Sequence, residues 1–149
     1  MKRKRLIILL VLLVLAVTAF IFSNSLKGAE ASNRDSDSII ALIQPLVERL
    51  FGQGAADHLN YAVRKSAHVV EFALLGVLVS CLVLALKKSL RGYEFFYALA
   101  VAVVDEFIQS FTGRTSQIKD VLIDFSGALL GFGIVFLITK LQKRKKNGT

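Results

Sequence analysis

The chain has 149 residues, 54% of them hydrophobic, with one proline and a mean hydropathy of +0.60. That is too apolar for a soluble domain of this length and too short for two domains, so a single membrane domain over 1–149 is expected. The net charge of +8 does not signal nucleic acid: Lys and Arg collect at the two termini and in one loop beside apolar segments, where they orient a membrane protein. No nucleic-acid partner is expected. Cys81, the one cysteine, sits mid-way along an apolar segment, which excludes an intrachain disulfide and a cysteine-based metal site.

After a KRKR start, residues 6–22 form an uncharged apolar stretch, short but sufficient for a hydrocarbon core about 30 Å thick. A signal peptide is the rival reading. Its apolar region would run only about 7–15 residues, and the A-x-A site at Ala29 to Ala31 lies well beyond Phe22, which favours a span. From Ser23 to Lys65 the chain is a polar connection, with apolar residues at Ile39, Ile43, Leu46 and Leu50 in the rhythm of one helical face. An amphipathic helix on the membrane surface or over the bundle is expected there, and Pro45 would break or kink it from an interior position.

Three further spans follow at about 66–86, 93–111 and 121–139. The expected fold is an all-α membrane protein, a bundle of four transmembrane helices with an extracytoplasmic amphipathic helix between spans one and two. Outside the spans, twelve Lys and Arg residues fall on the side of the termini and seven on the other. This bias places both termini in the cytoplasm of a bacterial plasma membrane protein.

With that orientation three groups of polar residues reach the outer mouth of the bundle: Arg64, Lys65, His68 and Glu71; Asp105, Glu106 and Gln109; and Arg114, Asp120 and Asp124. An ionisable group near the centre of a membrane helix costs roughly 2.5–3.5 kcal/mol, so such a set requires partners. Arg64, His68 and Glu71 share one helical face, as do Asp105 and Gln109, with Ala98 and Ala102 extending the latter stripe. Asp120, Asp124, Gly127 and Gly131 form a third face, two carboxylates above a GxxxG stripe that lets a neighbouring helix come close. Arg114 is suited to pair with one of these carboxylates or with an anionic ligand. Each feature also has a purely structural reading: a packing glycine motif, a histidine joining two helices, a buried salt-bridge network. Three helices bringing both signs of charge to one depth weigh against that reading.

Three blocks resemble the VanZ-like family of small bacterial membrane proteins, named for a protein associated with teicoplanin resistance. RKSAHVVEFALLG at Arg64 to Gly76 resembles the first family motif, with Phe72 where a tyrosine is usual. DEFIQSFTGRTSQIKDVLIDFSGALLG at Asp105 to Gly131 resembles the second and third, with Thr112 where a valine-proline turn often sits. SNSLKGAEAS after the first span is a weaker match. The resemblance implies a four-helix membrane protein linked to the cell envelope and the glycopeptide response, and it implies no reaction.

Three functions are compatible with these residues. A polar pocket lined by Arg64, Lys65, His68 and Arg114 over Glu71, Asp105, Glu106, Gln109, Asp120 and Asp124 would bind the anionic headgroup of an envelope lipid or a lipidated glycopeptide. An intramembrane enzyme on a lipid-linked cell-wall precursor would use Glu106 or Asp105 as base, His68 as acid or second base and Arg114 against developing negative charge. Proton-linked transport would need a path that the apolar inner halves of the spans do not offer, unless a homo-oligomer forms one. No cofactor is expected and no H-E-x-x-H motif is present. A divalent cation would find its ligands at His68, Glu71, Asp120 and Asp124.

Overall fold

A computed structural model of the chain describes residues 2–52, 59–86, 92–112 and 117–147. Within them the chain is all-helical: α1 (Lys2–Ser25), α2 (Ala29–Phe51), α3 (Leu59–Leu86), α4 (Tyr93–Ser110) and α5 (Ile118–Asn147). Helices satisfy their own backbone hydrogen bonds, which is what an apolar solvent demands of a chain crossing it. Among the described residues three helices are long and apolar enough to cross a membrane, Lys2–Ser25, Tyr61–Leu86 and Ile118–Lys146.

The remaining expected span, α4, has 18 residues and carries three carboxylates, Glu94, Asp105 and Glu106. Its length alone, about 27 Å at 1.5 Å per residue, approaches the thickness of a hydrocarbon core. Asp105 and Glu106 turn inward and are buried, while Phe96, Val103, Val104 and Phe107 are exposed. Two of the three charges that lower the apolar character of α4 thus belong to the interior of the bundle, and the third, Glu94, is half-buried at the opposite end of the helix, where it accepts from the Gly92 backbone.

The closest packing is between α3 and α5, and glycine makes it possible. A Cβ at Gly127 would lie 2.5 Å from the Val69 carbonyl oxygen, and one at Gly131 would collide with the Ala73 carbonyl and come 2.8 Å from the Val77 nitrogen. From the opposite side Gly76 admits the backbone of Ala128. The GxxxG stripe expected from sequence therefore meets α3, with a third glycine on the partner helix. Helix α1 runs antiparallel to α3, its Arg3 Nε donating to the Ala85 carbonyl at 3.0 Å. It meets α4 through a Thr18–Tyr97 hydroxyl contact of 2.9 Å, an interhelical hydrogen bond of the kind that joins helices in an apolar medium.

Helix α2 packs on α3. Pro45 lies inside α2, and the helix continues through it. Proline removes one bond to the carbonyl four residues back, here Ala41, and both residues are exposed. The faces of α2 are arranged unusually for a helix against a protein: Ser32 and Ser36 are buried, whereas Leu42, Leu46 and Leu50 are exposed, Leu42 by 81%. Ile43, assigned from sequence to the same apolar face, is half-buried. An outward apolar stripe of this kind marks an interaction with something apolar.

Candidate functional site

The polar end of the bundle is built where the last turn of α1, the first half of α3, the last two turns of α4 and the first two turns of α5 come together. In the sequence the α3 polar residues Arg64 and Lys65 fall in a connection; in the structure α3 begins at Leu59, so they stand on the helix itself. The 64, 68, 71 face survives intact: Arg64, His68 and Glu71 line one pocket of about 300 Å³ between α1, α2 and α3. Phe20, Ile39 and Val63 supply apolar wall, and Asn24, Lys27, Ser32 and Ser36 supply polar wall.

Lys65, one residue round the helix from Arg64, points to α5. Its Nζ lies 2.8 Å from Asp120 Oδ1, and 5.7 Å from the centre of the Tyr61 ring. Both partners of this ion pair are largely buried. Asp120 is thus engaged with α3 and is turned to a different partner from Asp124.

Asp105 and Asp124 are fully buried, and His68 stands between them on α3. His68 Nδ1 lies 3.7 Å from Asp105 Oδ2 and 3.8 Å from Asp124 Oδ1. Asp105 is held from two sides: the Ser25 hydroxyl donates to Oδ1 at 2.6 Å, and Gln109 Nε2 donates to Oδ2 at 2.7 Å. Gln109 also donates to Ser25 Oγ at 3.3 Å, which closes a small network across α1 and α4. Glu106, 3% exposed, and Asp124 present four carboxylate oxygens with no hydrogen-bond donor. Besides His68, the carboxylates of Asp105, Glu106 and Asp120 and the ammonium of Lys65 lie near enough to act electrostatically on Asp124.

Of the groups expected to hold a cation only His68 and Asp124 come together, and Asp105, which was not among them, completes the set: the three offer ligand atoms within 4.8 Å of one another. Glu71 is directed elsewhere, accepting from Asn24 Nδ2 at 2.8 Å, and Asp120 pairs with Lys65. Arg114 lies outside the described residues, as do His58 and the 87–91 loop.

Asn24 and Ser25 entered the sequence reading only within SNSLKGAEAS, the weaker family match, with no role given to either. They follow Ser23 at the end of a charge-free, largely apolar run, and that switch to polar residues at the end of a span is the signal they carry. One turn of α1 delivers both to carboxylates on two other helices, Glu71 on α3 and Asp105 on α4. Thr112 joins the same corner, its hydroxyl donating to the Ser25 carbonyl at 3.3 Å.

A model of the VanZ/LLP1 family matches residues 7–139, and the chain belongs to this family. The match runs from the first span to the end of the last, so every residue of the polar corner lies inside it. No curated protein and no solved structure shows a significant match to the chain.

Proposed function

We propose that this VanZ/LLP1-family protein is a four-span protein of the bacterial plasma membrane, with both termini cytoplasmic and α2 on the outer surface. In this reading the pocket between α1, α2 and α3 takes the anionic headgroup of an envelope lipid or of a lipid-tailed glycopeptide such as teicoplanin. The observation that carries it is the composition of the pocket: Lys27 and Arg64 stand beside Phe20, Ile39 and Val63 in one cavity of about 300 Å³. Cations attract a phosphate or carboxylate headgroup, and apolar wall accommodates the chain attached to it. The orientation is supported by the twelve-to-seven distribution of basic residues. The outward leucines of α2 suit a helix lying in the lipid interface.

A second reading, an enzyme acting on a lipid-linked cell-wall precursor, draws support from Glu106, whose buried oxygens have no donor and would accept a proton. The two separate in one experiment. Wild type, Arg64→Ala and Glu106→Gln are expressed at matched membrane levels in a sensitive Gram-positive host and challenged with teicoplanin and with vancomycin. Binding predicts protection against teicoplanin alone, lost with Arg64→Ala and largely kept with Glu106→Gln. Catalysis predicts complete loss with Glu106→Gln in a protein that still folds. Equal sensitivity of all strains, including one without the protein, would refute the glycopeptide part of the proposal.

A further inference from the structure

We propose that His68, Asp105 and Asp124 together bind one divalent cation, of the Zn²⁺ or Mn²⁺ type. The three come from α3, α4 and α5, so no single helix explains their meeting. Each offers one ligand atom, and all three atoms lie within 4.8 Å of one another. A tetrahedral cation with bonds of about 2.1 Å spaces its ligands about 3.4 Å apart. The spacings of 3.7 and 3.8 Å from His68 Nδ1 to the two carboxylates need a contraction of only a few tenths of an ångström to reach that value.

The surroundings favour a cation independently of the spacing. Asp124 is fully buried, and neither of its oxygens receives a hydrogen bond. A buried carboxylate without donors is strongly disfavoured, and a metal ion supplies the missing charge. Three further carboxylates act on it, Asp105, Glu106 and Asp120, against the ammonium of Lys65, and that ammonium lies 2.8 Å from Asp120. Asp105 has the second layer of contacts that orients a metal ligand: Ser25 fixes one oxygen and Gln109 the other, with Oδ2 facing His68.

Ligand chemistry selects among cations. A ring nitrogen with two carboxylate oxygens suits Zn²⁺ or Mn²⁺ better than Mg²⁺, and Ca²⁺ takes about six to eight oxygens, at least twice the number of ligands the triad presents. His68 belongs both to this cluster and to the lining of the neighbouring pocket, but the cation site does not depend on what the pocket binds.

The test uses the full-length, tag-free chain in detergent micelles, stripped with chelator and then equilibrated with ZnCl₂ or MnCl₂. Bound metal is measured after desalting, together with the thermal unfolding midpoint. The wild type is expected to retain about one ion per chain, with a midpoint raised by the metal and lowered again by chelator. Asp124→Asn and Asp105→Asn should weaken binding by about 100-fold, the upper end of the roughly 10–100-fold lost when even a supporting outer contact is removed, while Glu94→Gln, at the opposite end of α4 from the triad, should bind as the wild type does. In the wild type with Mn²⁺, pulsed electron paramagnetic resonance should show coupling to a histidine nitrogen, a readout that needs no variant to fold. Failure of the wild type to retain either ion, retention by Asp124→Asn at wild-type affinity, or bound Mn²⁺ without nitrogen coupling would each overturn the proposal.

Discussion

Two glycines two residues apart on α5 should respond to the same substitution with opposite sign. At Gly131 the added methyl meets backbone, the Ala73 carbonyl and the Val77 nitrogen at 2.8 Å, and backbone cannot swing aside as a side-chain tip can. Carbon-to-oxygen contacts of about 3.3–3.6 Å are the closest that helix interfaces normally show, so α3 and α5 must part by roughly 1 Å. Overpacking of this kind costs about 1–3 kcal/mol. At Gly133 nothing lies within 4 Å of the same methyl, and replacing a mid-helix glycine by alanine gains about 0.5–1 kcal/mol. That helix term is common to both variants. The difference between Gly131→Ala and Gly133→Ala therefore isolates the collision, about 1–3 kcal/mol, or roughly 5-fold to 150-fold in the unfolding equilibrium. Reversible unfolding of the two variants and the wild type in one detergent measures it. Equal stability of the two alanine variants would show that α3 and α5 do not cross at the distance described, and the placement of Asp124 beside His68 would fall with it.

Three other outcomes are expected. Lys65→Met strands Asp120, which is 3% exposed, and should cost about 3–5 kcal/mol, most of it recovered in the double variant with Asp120→Asn; additive losses in a double-mutant cycle would show that the pair is not coupled. Ser25→Ala removes the 2.6 Å donor to buried Asp105 and should cost about 1–3 kcal/mol. Ser110→Ala, whose exposed hydroxyl bonds only within its own helix, should stay within about 0.5 kcal/mol, so similar losses for both serines would contradict the assigned network. In a background where Cys81 is replaced by alanine, Gly28→Cys should react with an impermeant thiol reagent in intact cells and Lys143→Cys only after lysis. The reverse pattern would invert the proposed orientation. Gly28 is a suitable site because a side chain there meets nothing within 4 Å.

Much of this molecule is written in one-dimensional pattern. Apolar stretches of membrane length define α1, α3 and α5, because a helix is the form in which such a stretch can satisfy its backbone within lipid. Helical spacing alone places Arg64, His68 and Glu71 on one face, and Asp120, Asp124, Gly127 and Gly131 on another, since 3.6 residues per turn is a property of the backbone and not of its neighbours. What a periodicity cannot say is which face meets which. Lys65 chooses Asp120, Glu71 chooses Asn24 and Asp105 chooses Ser25, across sequence separations of 47 to 80 residues for the last two. The first choice is set by how closely the backbones of α3 and α5 approach, and so by the tertiary consequence of missing side chains at Gly76, Gly127 and Gly131; the other two are set by where the end of α1 meets α3 and α4. The approach of α3 and α5 also brings Asp124 rather than Asp120 to His68. Sequence supplied the charged groups and their faces; the separation of the packed helices decided which of them meet.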